Sequence, residues 1–327
     1  MIKIGSWRIW LTPDDERERE PPGSTPGGDA QREAQPSGGE IEIAWRTLAA
    51  RLPATTDPCH RSKHAATYRT RVGERDVYLK RYHRYDWRTD LKDMVRPSKA
   101  RRVLRVSTAL AAAGFHVPRV LAAAEERHGP FLRGAWVATE ALEGVPLADR
   151  LAALAGERAA APTPAAARVL LAEKRGLLAA LGAAVARFHA AGFVAGDLVP
   201  ANVWLARSAA GDALAFLDHD RTRAGRAPAR WWRARRNLVQ LNRFVLTGVV
   251  ATDRARVYRA YAAGRGWSRA EARRRLPWLI AKTIERRRRF DGVADAAALG
   301  FRALMRAAPA AAAAASGARA AADRDRR

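Results

Sequence analysis

The chain has 327 residues, 48% of them hydrophobic, enough for one large domain or for two lobes with a sizeable core. It carries 59 Lys and Arg against 33 Asp and Glu, and the net charge of +26 favours polyanionic partners: nucleic acid, an acidic membrane face or phosphorylated substrates. An arginine- and alanine-rich genome produces the same bias with no partner at all. A single cysteine, Cys59, excludes an internal disulfide and a cysteine metal cluster, which points to a reducing compartment. With no long apolar run and no apolar leader within Met1 to Pro13, the chain is expected in the cytoplasm.

Along the chain, residues 14–39 are mostly Glu, Arg, Pro, Gly, Ser and Gln without period, and residues 1–45 are assigned to a disordered N-terminal arm. The stretch ATYRTRVGERDVYLKRY holds two β-prone runs around a Gly-containing turn at Val72 to Arg75, the pattern of a hairpin. A helix is predicted from about Lys99 to Ala113, with Val103, Val106, Leu110 and Ala113 on one stripe and Gly114 and Pro118 as its stop. GAWVATEAL is a strand leading into a linker at Glu143 and Gly144. A helix near Ala148 to Leu154 follows, then a loop with Pro162 and Pro164, then a long helix from about Ala165 to Ala191 that ends at Gly192. Beyond two aspartate-bearing strands the pattern is helical near 231–247, 252–264, 268–289 and 292–307. Strands early and helices late predict an α+β fold of two segregated lobes, residues 46–142 and 143–306, with the alanine-rich residues 307–327 as a disordered tail.

The chemistry concentrates in FVAGDLVPANVWL, residues 193–205, and ALAFLDHDRTR, where Asp218 and Asp220 follow a buried-looking strand. Phosphoryl transfer needs a carboxylate beside the attacking hydroxyl, oxygen ligands for magnesium and a cation on the nucleotide phosphates. Asp197 and Asn202 stand five positions apart, the spacing of the loop D-L-x-x-x-N. Asp218 follows Asp197 by 21 residues at the end of ALAFL, and Lys80 ends the strand VYLK upstream. Each element alone recurs by chance, since an Asp at a strand end is usually a turn former or a cap. The order Lys80, Asp197, Asn202, Asp218, each on a suitable element, is much rarer.

These residues resemble the lipopolysaccharide kinase family, the Kdo and heptose kinases, which have a protein-kinase-like fold. The matching segments are VYLKRYHRYDW, RPSKARRVLRVSTALAAAGFHVPRVLAAAEER, AWVATEALEGVPLADRL, FHAAGFVAGDLVPANVWL and FLDHDRTR, followed by the basic RWWRARRNLVQLNRFVL. The resemblance covers about residues 65–247 and implies a small β-rich N-lobe and a larger helical C-lobe. It implies ATP-dependent phosphorylation of a sugar hydroxyl in the inner core of lipopolysaccharide. Carried over residue by residue, Asp197 is the catalytic base, Asn202 and Asp218 are the Mg2+ ligands, and Lys80 binds the ATP phosphates. Glu140 in ATEAL falls where the hinge would meet adenine by its backbone. The implied partner is an anionic glycolipid acceptor at the inner membrane surface, which makes the protein peripheral on that membrane.

The chain departs from the family pattern in four places. Ala195, followed by Gly196, stands where related sequences often have a histidine two positions before the aspartate, and His219 replaces a common phenylalanine. The helix expected to carry a glutamate for Lys80 has Arg101, Arg102 and Val103, with no acid between Asp93 and Glu125. CHRSKHAATY contains no Gly-rich phosphate loop. A catalytically weak kinase-like protein is therefore one alternative. A second is a small-molecule phosphotransferase of the aminoglycoside or choline type, using the same Asp197, Asn202 and Asp218, although such enzymes favour acidic pockets for cationic substrates. A nucleic-acid module lacks a supporting zinc-finger, RNP or helix-turn-helix signal.

Among the remaining conspicuous residues, His189 near a helix end is more often a core or capping histidine than a catalytic one. Trp231 and Trp232 are expected as core anchors, and RRRR at 286–289 as a solvated helix face. Residues 221–252 contain no acid at all, and Arg230, Arg233, Arg235 and Arg236 among them suit an anionic substrate through the planar arginine fork.

Overall fold

The computed structural model describes residues 2–4, 6–12, 58–62, 64–72, 75–83, 94, 96–207 and 211–290. The expected helix at 292–307, the tail at 307–327 and residues 13–45 of the arm lie outside these described residues. The chain divides into two compact units, Met1–Thr108 with Arg119–Ala141, and Ala109–Pro118 with Leu142–Arg327.

The first unit is built on strands β1 (Ile2–Ile4), β2 (Trp7–Leu11), β3 (His60–Arg61), β4 (Ala65–Val72), β5 (Arg75–Tyr82), β6 (Val120–His128) and β7 (Phe131–Glu140). They form one antiparallel sheet in the order β1-β2-β6-β7-β5-β4-β3. The expected hairpin is β4 and β5, paired from Ala65 with Tyr82 to Val72 with Arg75. Alternation sorts its side chains by face. Ala66, Tyr68, Val77 and Leu79 join one core cluster, while Ala65 and Tyr82 join another that contains Ala100, Val103, Ala123 and Val137. Helix α1 (Lys99–Ala112) supplies Ala100 and Val103. Its first turn is capped by Ser98, whose Oγ accepts from the Arg101 N–H at 3.1 Å. Gly114, at φ +74°, ends the run in the left-handed region that glycine adopts without strain.

One feature overturns an expectation, and a second adds a strand that was not foreseen. Residues 2–4 and 7–11, assigned above to a disordered arm, are strands β1 and β2. Ile9 is buried, and the Trp7 ring lies 6.4 Å from that of Trp136. Strand β6 sits between β2 and β7, although VLAAAEERH is poor in β-formers. Ala122, Ala123 and Ala124 are wholly buried there, so burial of small side chains on both faces overrides alanine's weak strand propensity.

The second unit begins with β8 (Gly144–Pro146) and helices α2 (Leu147–Ala159) and α3 (Pro164–Ala190). Then follow β9 (Phe193–Val194), a 3-10 turn Pro200–Asn202, β10 (Val203–Ala206), β11 (Ala213–Phe216) and β12 (Arg223–Ala224). Helices α4 (Trp231–Arg243), α5 (Ala251–Gly264) and α6 (Arg269–Phe290) complete it. The strands make two small antiparallel sheets, β11-β10-β8 and β12-β9. Thr163 caps α3 by accepting from the Ala166 N–H at 3.1 Å, with Pro164 at the first helical position. A Cβ on Gly182 would lie 2.3 Å from the Val257 carbonyl oxygen, so glycine is what lets α3 and α5 approach so closely. Phe115, Phe188, Phe193 and Phe216 pack ring to ring, with Phe188 at 5.5, 5.5 and 5.3 Å from the other three. This aromatic cluster seats β9 and β11, the strands that lead to Asp197 and Asp218.

Helix α4 stops at Arg243, short of the expected 247, and arginines satisfy the carbonyls left open at its end. Arg254 donates to the carbonyl of Asn242 at 2.6 Å and to that of Phe244 at 2.5 Å, and Arg287 to that of Arg243 at 2.7 Å. Arg287, expected on a solvated face, is thus part-buried. Among the described residues no helix is long and apolar enough to cross a membrane.

Candidate active site

Asp197 lies on the exposed loop between β9 and β10, whose backbone is closed by its own residues. The Asn202 Nδ2 donates to the Asp197 carbonyl at 2.9 Å, and the Asn202 carbonyl accepts from the Leu217 N–H at 2.9 Å. Asp197, Asn202 and the residue before Asp218 are thereby stitched together. Asp218 itself has φ +58°, a left-handed conformation that aspartate tolerates better than most residues and that turns the chain sharply out of β11. The side-chain oxygens of Asn202 and Asp218 are hard donors of the kind magnesium takes, and the bond from Nδ2 leaves the Asn202 Oδ1 as the free end of that amide. Among the described residues no group of three or more His, Cys, Asp or Glu side chains could hold a metal. A cation here would complete its shell with phosphate and water.

A polar frame from α4 and α3 clamps the stretch from Ala195 to Leu198. The Asn237 amide takes both backbone groups of Ala195, its Oδ1 accepting at 3.0 Å and its Nδ2 donating at 2.8 Å. Gln240 spans the next residues, its Nε2 donating to the Gly196 carbonyl and to Asp197 Oδ1, both at 3.1 Å, while its Oε1 accepts from the Leu198 N–H at 3.3 Å. Behind Asn237 lies fully buried His189, with Nε2 at 3.0 Å from Asn237 Oδ1 and Nδ1 at 2.9 Å from the Tyr261 hydroxyl. Burial lowers the His189 pKa to about 4 against its bond to the Asn237 amide oxygen, and raises that of Tyr261 to about 12. The expectation of a core histidine for His189 agrees with this position. Neither Asn237 nor Gln240 was singled out in the sequence: polar residues at i and i+3 on an arginine-rich helix resemble a solvated face.

Of the departures from the family pattern, His219 acquires a physical reason, and so does Gly196, the residue that follows Ala195. A Cβ at Gly196 would meet the Cβ of Arg221 at 2.1 Å, so the loop accepts only glycine there. His219 is buried, its Nε2 donating to the Phe216 carbonyl at 2.9 Å and its Nδ1 lying 3.3 Å from the Thr222 hydroxyl. Burial first, against the Phe216 bond and the nearby Asp218 charge, lowers its pKa to about 4, so it is a neutral packing residue at pH 7.

Lys80 and Glu140 belong to the first unit. Lys80 is half-buried on β5, paired with Thr67 and Val137, its Nζ 5.7 Å from the centre of the Tyr82 ring. As expected, α1 carries no acid. Of the two acids on β6, Glu125 is almost wholly buried and ion-paired with Arg127 at 3.0 Å, and Glu126 accepts from the Ser6 hydroxyl at 3.3 Å. The N–H of Glu140 is engaged with the Arg119 carbonyl at 2.9 Å, so that N–H is not available to a purine.

A pocket of about 310 Å3 opens beside Asp197 in the second unit. Its walls include Gln240, Trp232 and Trp278, and its cations are Arg235, Arg236, Arg243, Lys282 and Arg286. Asp197 is its only acidic wall residue among those described. The Arg235 guanidinium stacks on Trp278 at 4.0 Å, and Arg236 reaches the Gly196 carbonyl at 3.4 Å. Of the four arginines singled out in the sequence, Arg235 and Arg236 line this pocket. Arg230 and Arg233 are exposed outside it, Arg233 lying 4.6 Å from the Trp232 ring centre. Trp231 packs edge-on against Trp267 and Trp278, at 5.3 and 6.0 Å, as a core anchor would, whereas Trp232 is 56% exposed.

The profile of the lipopolysaccharide kinase (Kdo/WaaP) family matches residues 56–261, more than half of the chain. Among solved structures, one described as WaaP in complex with acyl carrier protein has a similar fold, with TM-score 0.54 and 21% identity. The match covers 75% of this chain and 95% of that one. No curated protein matches the sequence.

Proposed function

Since the chain belongs to the lipopolysaccharide kinase (Kdo/WaaP) family, and is accordingly an ATP-dependent phosphotransferase acting on a sugar hydroxyl, we propose that Asp197 is its catalytic base. The acceptor is a Kdo or heptose hydroxyl of the lipopolysaccharide inner core. The observation that carries this reading is the position of Asp197, the one acid among the described wall residues, on a pocket lined mostly by cations and indoles. Such a pocket suits an anionic sugar: arginine forks hold carboxylate or phosphate oxygens, and indole faces take the ring. It is poorly suited to the cationic substrates of aminoglycoside or choline kinases.

In this reading Asn202 and Asp218 hold Mg2+, which when bound would neutralise charge on the ATP phosphates. Lys80 contributes a cation to the same phosphates. If adenine docks at the end of β7, it meets a carbonyl or later backbone, because the Glu140 N–H is engaged. Asp197 accepts the proton of the attacking hydroxyl and orients its oxygen toward the terminal phosphate. The exposed Trp232 and Arg233, an amphipathic pair, suit a peripheral seat on an anionic inner-membrane surface.

Asp197→Ala tests the core of the proposal. Phosphate transfer to purified lipopolysaccharide core should fall by about 10²–10⁴-fold, the usual contribution of a positioned base, with ATP affinity retained. Undiminished turnover in that variant would remove Asp197 from the role.

A further inference from the structure

Every hydrogen bond behind Asp197 has a direction that the backbone determines. Ala195 clips the Asn237 amide in one orientation, because its N–H can only donate and its carbonyl can only accept. With Oδ1 thus an acceptor, His189 Nε2 carries the ring proton and donates to it. The neutral ring, favoured by burial, then accepts at Nδ1 from the Tyr261 hydroxyl. Gln240 is oriented in the same way, by the Leu198 N–H on its Oε1 and the Gly196 carbonyl on its Nε2. Asn237 Nδ2 therefore donates to Gln240 Oε1 at 2.8 Å, and Gln240 Nε2 donates to Asp197 Oδ1 at 3.1 Å. Tyr261, His189, Asn237 and Gln240 form a series of donors that all run one way and end on one carboxylate.

We propose that Gln240 is the positioning residue of this base: it occupies Oδ1 of Asp197 and leaves Oδ2 to take the acceptor's proton. The proposal rests on the reading of Asp197 as the base. Oδ2 makes no hydrogen bond with any described residue, whereas Oδ1 and the Asp197 carbonyl are both held. A carboxylate exposed on a loop would otherwise rotate among several orientations, and in this pocket it would turn toward Arg235 or Arg236. An arginine partner would depress its basicity strongly. A neutral amide competes with the arginines for one oxygen without adding a charge. Donors in series polarise one another, so the buried Tyr261–His189–Asn237 segment strengthens the last bond.

The test compares Gln240→Leu and Gln240→Glu with the full-length wild-type protein across pH. Gln240→Leu removes the donor, and kcat should fall about 10–100-fold while KM for ATP stays within about twofold. Gln240→Glu keeps the shape but sets a second carboxylate against Asp197. Its kcat should be low at pH 6 and recover at alkaline pH, with the acid limb of the profile moved up by about one pH unit or more. A purely structural role would lower the folded fraction without moving that limb. Acid limbs unchanged from wild type, or loss of fold in both variants, would overturn the proposal. Full activity in Asp197→Ala would instead remove the base reading on which it stands.

Discussion

Lys80 and Asp197 are held by different physical means. Lys80 is one residue of a ladder, its backbone paired with Thr67 on one side and Val137 on the other, so its position survives most changes of neighbouring side chains. Asp197 has no strand partner, and its loop is held by amides reaching from Asn202, Asn237 and Gln240. A ladder fixes where a residue starts. A side-chain clamp fixes where its functional atom ends, and it makes the site sensitive to helix α4, more than forty positions away in sequence. Helix α1 carries no acid, and the buried acid on β6, Glu125, is ion-paired with Arg127.

That contrast predicts unequal costs. Asp218→Ala, which removes an anionic oxygen beside the stitched loop, should abolish magnesium-dependent ATP binding, a loss of about 100-fold or more in affinity. Lys80→Met should raise KM for ATP only about tenfold, the order of one partly exposed charge-assisted contact. Nucleotide titrations with and without Mg2+ measure both, and equal losses would mean that the strand and the loop contribute alike.

A second, smaller contrast lies within helix α4. Arg235→Gln with Arg236→Gln removes two pocket cations and should raise the acceptor KM about thirtyfold, from two contacts of about 1 kcal/mol each. The effect should shrink as salt is added. Arg230→Gln with Arg233→Gln, outside the pocket, should change a soluble acceptor's KM less than about threefold. If the two pairs behave alike, long-range charge and not the pocket recruits the acceptor.

What the sequence disclosed follows the same division. The β4–β5 hairpin, the long helix α3 and the spacing of Asp197 and Asn202 were legible because their signals are local: alternation, capping and a short motif. Strand β6 was not, because Ala122, Ala123 and Ala124 gain their reason only from burial between two neighbours. Strands β1 and β2 were hidden by the polar segment that follows them. The clamp was hidden by distance, since Asn237 and Gln240 meet the loop across 42 and 43 positions and look like surface polar residues in their own helix. The arginines were legible as charge but not as geometry: Arg235 and Arg236 face the pocket, whereas Arg254 and Arg287 cap the carbonyl end of the same helix.

The smallest effect separates the two buried histidines by pH. Both His189 and His219 have folded pKa values of about 4, lowered by burial from the ordinary 6.5, so the unfolded chain binds more protons between those values. Their contribution to stability is complete above about pH 6.5 and is lost as pH falls toward 4. By pH 5 each should have cost about 2 kcal/mol, so the urea midpoint of unfolding should be clearly lower at pH 5 than at pH 7.5. His219→Phe separates the two contributions. It gives up the bonds to the Phe216 carbonyl and the Thr222 hydroxyl for an apolar ring of similar size. At pH 7.5 its stability should stay within about 1.5 kcal/mol of wild type, while the acid-induced loss by pH 5 falls by about half. An unchanged acid loss in that variant would show that His219 is not buried neutral beside the aspartate, and the loop would then owe its acid sensitivity to His189 and the clamp alone.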